Sequence, residues 1–150
     1  MLIAAPAHAQ DVAKLSLKLV DVGRYAAFVD EAGITWSGRT AKLRVLQVVE
    51  TDFIAAGEAY WGGWQALTID CDARTLVRNA YASIRATGRE GPLSGAPTPT
   101  EPIPGGGMEE AAAKLVCDGH APFPAVRTAE SVEEAVRIGR PLIESGAEPN

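Results

Sequence analysis

The residues best placed for chemistry gather around two cysteines and one histidine. Cys117 and His120 stand at a Cys-x-x-His spacing, and Asp70 and Asp72 flank Cys71. A metal site built on them would have to recruit carboxylates, whereas structural zinc sites are mostly Cys/His. The simpler reading is a Cys71–Cys117 disulfide, because the chain has only 2 cysteines and they lie far apart. Asp70, Asp72 and Arg74 would share one strand face opposite Cys71, and paired carboxylates can do acid/base work when burial splits their pKa values. A Ser–His–Asp arrangement would depend wholly on His120, and no nucleophile-elbow motif accompanies it. Gly105-Gly106-Gly107 precedes a helix but is followed by Met108-Glu109-Glu110. Acidic side chains in that first turn complement the helix dipole and repel phosphate.

Two further groups suit binding rather than catalysis. Arg74, Arg78, Arg85 and Arg89 form a local basic cluster with Tyr81 among them, fit for an acidic or polyanionic partner or for a solvated face. Tyr60, Trp61 and Trp64 fall in a glycine-bearing stretch, where aromatic residues either plug the core or form a recognition patch.

Composition limits the setting. A chain of 150 residues suits one domain, and a 47% apolar, 22% charged composition excludes general disorder. The net charge of −5 argues against non-specific nucleic-acid binding. No apolar run approaches the roughly 18 residues of a membrane-spanning helix. Ala7-His8-Ala9 has the small-x-small pattern of a signal-peptidase site, so residues 1–9 read as the remnant of a signal peptide lacking its basic start. No cysteine lies near that cut site to carry a lipid. Export to the periplasm or the exterior of a Gram-negative cell favours the disulfide.

These groups need a scaffold. Residues 13–22 alternate with Leu15, Leu17 and Leu19 on one face, as a half-buried strand does. Strands at Tyr25–Asp30, Ile34–Trp36 and Leu43–Val49 follow, joined by short turns at Glu31–Gly33 and Ser37–Arg39 in an antiparallel meander. Residues 52–63 read as a loop, and Trp64–Cys71 as a strand with Leu67 and Ile69 on the Cys71 face. In residues 73–85 the apolar positions Leu76, Val77, Ala80, Tyr81 and Ile84 have helical spacing. Residues 91–107 are a loop rich in proline and glycine. Met108–Cys117 is a short helix with Met108, Ala111, Ala112 and Leu115 as its stripe and a Glu110–Lys114 pair. Ser131-Val-Glu-Glu134 fits a capping box for a last helix ending near Gly139–Pro141. Residues 90–150 carry ten acids and four bases, so the last thirty residues suggest an acidic, weakly attached appendage.

One order of features has a counterpart. Phe28-Val29-Asp30, Ile34, Gly38, the aliphatic strand Leu43–Val49, Ile69-Asp70-Cys71 with Arg74, and a helix ending in Val116-Cys117 resemble the surface-adhesin protein E-like family of small exported bacterial proteins. The resemblance covers roughly residues 12 to 118. It implies an antiparallel sheet, a helix, and a disulfide from the Asp-Cys strand to the helix end, and it makes residues 73–85 a strand. It also implies adhesion to host matrix proteins, although the chain adds a C-terminal helix.

The expected fold is therefore α+β: an antiparallel sheet of about five to six strands, a short helix disulfide-linked to it, and a C-terminal helix. Residues 10–120 form the domain and 121–150 the extension. The expected role is a non-enzymatic exported envelope or surface protein binding a macromolecular partner. Arg74, Arg78, Arg85, Tyr60, Trp61, Trp64 and Tyr81 make up the candidate patch, with no cofactor and no metal. The alternative is a small periplasmic enzyme or ligand carrier using Asp70, Asp72 or His120. A homodimer through an exposed sheet edge is a third reading.

Overall fold

The computed structural model describes residues 14–149, so the signal-like segment 1–9 lies outside the described residues. Seven strands and two helices follow one another: β1 (Leu17–Val22), β2 (Tyr25–Asp30), β3 (Thr35–Ser37), β4 (Thr40–Ala55), β5 (Glu58–Asp70), β6 (Thr75–Arg85), β7 (Glu101–Pro102), α1 (Met108–Asp118) and α2 (Val132–Ser145). All pairings are antiparallel, in the order β1-β2-β4-β5-β6-β7, with β3 also paired to β4. This is the expected α+β architecture, with seven strands where five to six were expected.

β2 and β3 lie along the same side of β4, separated by a single 3₁₀ turn at Glu31–Gly33. The buried Asp30 carboxylate sits at this junction and accepts the Ser16 backbone N–H at 3.1 Å. A Cβ at Gly33 would lie 2.7 Å from Asp30 Oδ2, so a larger residue would have to displace the carboxylate.

Strand alternation sends the apolar residues to two faces. On the first face Ala41, Leu43, Val45, Leu67, Ile69, Cys71 and Leu76 pack beneath Met108, Ala112, Ala113 and Leu115 of α1. On the second face Ala26, Phe28, Leu46, Val48, Trp64, Ala82 and Ile84 pack beneath Ala135 and Val136 of α2. The two helices therefore cover opposite faces at opposite ends of the sheet. Each face is left with one half that no helix covers.

Several expectations are corrected. Residues 52–63 are not a loop but the paired ends of β4 and β5. Their turn is the two-residue Ala56-Gly57, at φ +50° and +77°, a backbone that suits a tight hairpin. Residues 73–85 form β6, as the family resemblance implied and the helical spacing did not. The reason is a bulge, in which Asn79 and Ala80 together oppose Ala66 between the pairs Gln65–Tyr81 and Leu67–Arg78. The extra residue shifts the alternation by one and imitates a helical period.

Residues 121–150 are no loose appendage either. Phe123, Ala129, Ala135 and Val136 are buried in the second-face core, and Ile138, Leu142 and Ile143 pack against it. This packing carries α2 past the expected stop near Gly139–Pro141. Pro141 lacks the N–H that would reach back one turn, yet the helix continues to Ser145 and closes on Gly146 at φ +66°. Residues 91–107 are a loop, as expected, except for β7. From Arg89 to Ile103 the loop runs as a strap along the outer edge of β6, bonded through its backbone at Arg85, Ser83, Tyr81, Arg78 and Arg74.

Candidate functional site

Cys71 and Cys117 are joined in a disulfide with Cα atoms 5.5 Å apart. Cys71 is buried where β5 ends and Cys117 lies on the last turn of α1. The Cys117 sulfur is thus bonded to carbon and sulfur and is no partner for His120 as a ligand.

The acidic candidates separate. β5 ends at Asp70, so Asp70, Asp72 and Arg74 do not share a strand face. Asp70 Oδ1 instead accepts the backbone N–H groups of Asp72 (3.0 Å) and Ala73 (2.9 Å), a carboxylate used to shape its own turn. Asp72 pairs with Arg39 at 3.3 Å. His120 is exposed and lines a hollow with Asp21, Glu110 and Lys114, to which neither Asp70 nor Asp72 contributes. Burial raises the Asp21 carboxyl and the Tyr25 hydroxyl above their ordinary ranges, and the Glu109 charge adds to both.

Three members of the arginine cluster are ion-paired within the chain. Arg74 forms a two-pronged bond to Asp118, at 2.6 and 3.2 Å, that raises the guanidinium and holds the Asp118 carboxyl below its usual range. Arg78 is clamped between Glu101 and Glu109. Arg85 meets Glu58 at 3.2 Å. Arg89 contributes a backbone carbonyl to the Arg85 N–H. Three of the four guanidinium groups therefore hold the strap, α1 and the hairpin to the sheet.

The aromatic candidates divide between the faces. Trp64 is buried in the second-face core and Trp61 packs at its margin. Tyr60 and Tyr81 come together on the first face, in the half that α1 leaves open. With Val49, Phe53, Ala55, Gly62 and Ser83 they line an apolar cleft of about 300 Å³. Two glycines make this possible. A Cβ on Gly63 would meet the Tyr81 hydroxyl oxygen at 2.0 Å, so the tyrosine lies across bare backbone. Gly62, at φ +148°, would place a Cβ 1.7 Å from the Gln47 carbonyl oxygen. Burial raises the Tyr81 hydroxyl.

The cleft's outer wall belongs to the hairpin tip. Between Val48 and Phe53 the β4–β5 register jumps, leaving residues 49–52 opposite Trp61. Arg140 of α2 fills this bulge, donating to the Val49 carbonyl at 3.1 Å and to Asp52 Oδ1 at 2.7 Å. Beyond it Phe53 is 61% exposed and Ile54 65%. Both were missed by reading the segment as a loop. Their apolar–apolar sequence between Asp52 and Ala55, ahead of the Ala-Gly turn, is the signal that could have found them.

No protein-family model matches the chain, and no curated protein sequence does. Solved structures do resemble it. Crystal form II of Haemophilus influenzae protein E superposes with a TM-score of 0.56 at 14% identity, over 79% of this chain and 98% of that one. Protein E from non-typeable Haemophilus influenzae gives 0.50 at 13% identity, over 98% of this chain and 97% of that one. At such identities the likeness is one of fold.

Proposed function

We propose that the chain is an exported envelope or surface protein that acts by binding a macromolecular partner and not by catalysis. The cleft and hairpin tip are its contact surface. The observation that carries this reading is the pair Phe53 and Ile54, large apolar side chains held out on a hairpin that Arg140 braces. Exposed apolar surface rimmed by polar groups marks interaction sites, and aromatic anchors such as Tyr60, Tyr81 and Phe53 are the residue types that carry binding energy. Export is supported by the signal-like start, by the disulfide, and by the protein E fold, since disulfides persist in oxidising compartments.

A photo-crosslinking residue placed at Phe53, in protein presented to envelope and extracellular-matrix fractions, tests the reading. Discrete adducts from position 53, absent from the same residue at Glu133 on α2, are the expected result. Identical or no adducts at both positions would overturn it.

A further inference from the structure

The half of the second face that α2 leaves open is polar where the cleft is apolar. Thr35, Lys42 and Thr68 form one row across β3, β4 and β5, since Lys42 is paired with both threonines. Arg44 stands two residues along β4 on the same face, opposite Ala66. The small Ala66 side chain leaves a hollow between Arg44 and Asn79 of β6. The groove holds about 350 Å³, with Gly33 at its rim, at the small end of ligand sites.

Three of its polar groups, on Arg44, Thr68 and Asn79, are held in place before anything binds. The Arg44 guanidinium lies 4.0 Å from the centre of the Trp64 ring and is tied to Glu90 at 3.1 Å, which fixes its position from below and from the side. The Asn79 amide N–H donates to Thr68 Oγ1 at 2.9 Å. That bond uses the Thr68 oxygen as acceptor, so the hydroxyl hydrogen stays free to donate. The Asn79 side-chain oxygen Oδ1 has no hydrogen-bond partner among the described residues and stays free to accept, while its main-chain carbonyl accepts from Gln65 Nε2 at 3.2 Å. Lys42 makes no ion pair among the described residues and is exposed.

We infer that this groove binds an acidic sugar residue, its carboxylate held by Lys42 and Arg44 and its hydroxyls by Thr35, Thr68 and Asn79. The donor set selects this class. Lys42 is unpaired among the described residues, and Arg44, bonded to Glu90 through Nη1 alone, keeps donors for a second anion, so this end suits an anionic group. The alternating hydroxyl and amide groups beside them match vicinal hydroxyls, which both donate and accept. A simple inorganic anion would leave the Asn79 acceptor unused. The site lies on the opposite face from the hairpin cleft and does not depend on the reading given for it.

Titration of the isotope-labelled protein with a short oligogalacturonate, its methyl ester, and sodium sulfate tests the inference by amide chemical shifts. The expected result is saturable binding of the acid form that shifts residues of β3 to β6 around the groove. The methyl ester and sulfate should bind at least about tenfold more weakly, because each gives up part of a charge-assisted or hydroxyl contact. Lys42→Gln and Thr68→Val should each weaken the acid form by about tenfold, while Phe53→Ser leaves it unchanged. Thr68→Val leaves the charges intact while removing the hydroxyl and the acceptor that holds the Asn79 amide, so its effect separates the hydroxyl and amide contacts from general attraction. Equal binding of acid and ester, equal binding of sulfate, or indifference to both groove substitutions would overturn the site.

Discussion

The two helices lie on the same sheet, yet they are attached in different ways. α1 sets Met108, Ala112, Ala113 and Leu115 on the first face, its N-cap Gly107 makes no side-chain cap bond, and its end is fastened by Cys117 to Cys71. α2 starts on Ser131, whose Oγ accepts the Glu134 N–H at 3.1 Å, and it seats Gly139 on Ala26 and Phe28 with no covalent link. A helix start without a side-chain cap leaves backbone donors unsatisfied. The covalent bond thus stands on the helix that lacks a side-chain cap. The helix with the Ser131 cap does without one.

Removing the bond should produce the largest effect. Replacing both cysteines by serine should cost about 4 kcal/mol, the loop-closure value for cysteines 46 residues apart. Denaturant titration measures the loss, and hydrogen exchange should show the α1 amides opening before those of α2. Equal protection of both helices in that variant would break the contrast between a stapled and a packed half.

The reciprocal change comes next. A Cβ at position 139 would meet Ala26 Cβ at 2.9 Å and the Phe28 ring at 3.3 Å. Gly139→Val should therefore destabilise by about 1–3 kcal/mol through overpacking. The exchange pattern should reverse, with α2 opening first.

Arg140→Ala is a smaller change that sharpens the link from α2 to the hairpin. Its partner is partly exposed, so the expected cost is about 1 kcal/mol. Amide relaxation should show residues 49–55 becoming mobile while β4 below Val48 is unaffected.

The smallest effect concerns the α1 end. Asp118 is held ionised by Arg74, so its contribution is present at neutral pH and lost as pH falls through the carboxylate range. Asp118→Asn should lower the melting temperature slightly at pH 7. The difference from the parent protein should vanish in acid, where the native carboxyl is protonated as well.

How far the sequence could be read followed local signals. Leu17 and Leu19, the Leu67–Ile69–Cys71 face, the Met108–Leu115 stripe and the Ser131–Glu134 cap each depend on spacing within one element, and each is where spacing placed it. The bulge at Asn79–Ala80 defeated periodicity, because one inserted residue changes the face of everything after it. Gly57, Gly62 and Gly63 gave the signals of a loop for reasons that lie elsewhere in the chain: a two-residue turn, the Gln47 carbonyl and the Tyr81 ring. The arginine patch was illegible for a related reason. Arg74, Arg78 and Arg85 are neighbours in sequence, but the acids that neutralise them arrive from positions 58, 101, 109 and 118. Of the proposed patch, Tyr60 and Tyr81 meet in the cleft, and their partner Phe53 was hidden by the loop reading.

The strap along β6 bears on how the surface of this molecule can be altered. Its hold on the sheet is largely main-chain, through Arg89, Gly91, Ser94, Thr98 and Ile103. The side chains between these points face outward, and Leu93 is 69% exposed. Positions 92, 93, 96 and 97 are therefore free of the constraints that govern the core, whereas Gly95, at φ +95°, is kept by its backbone. A fluorophore, an affinity tag or a short foreign epitope could be carried there, displayed beside the sheet without disturbing the register beneath it.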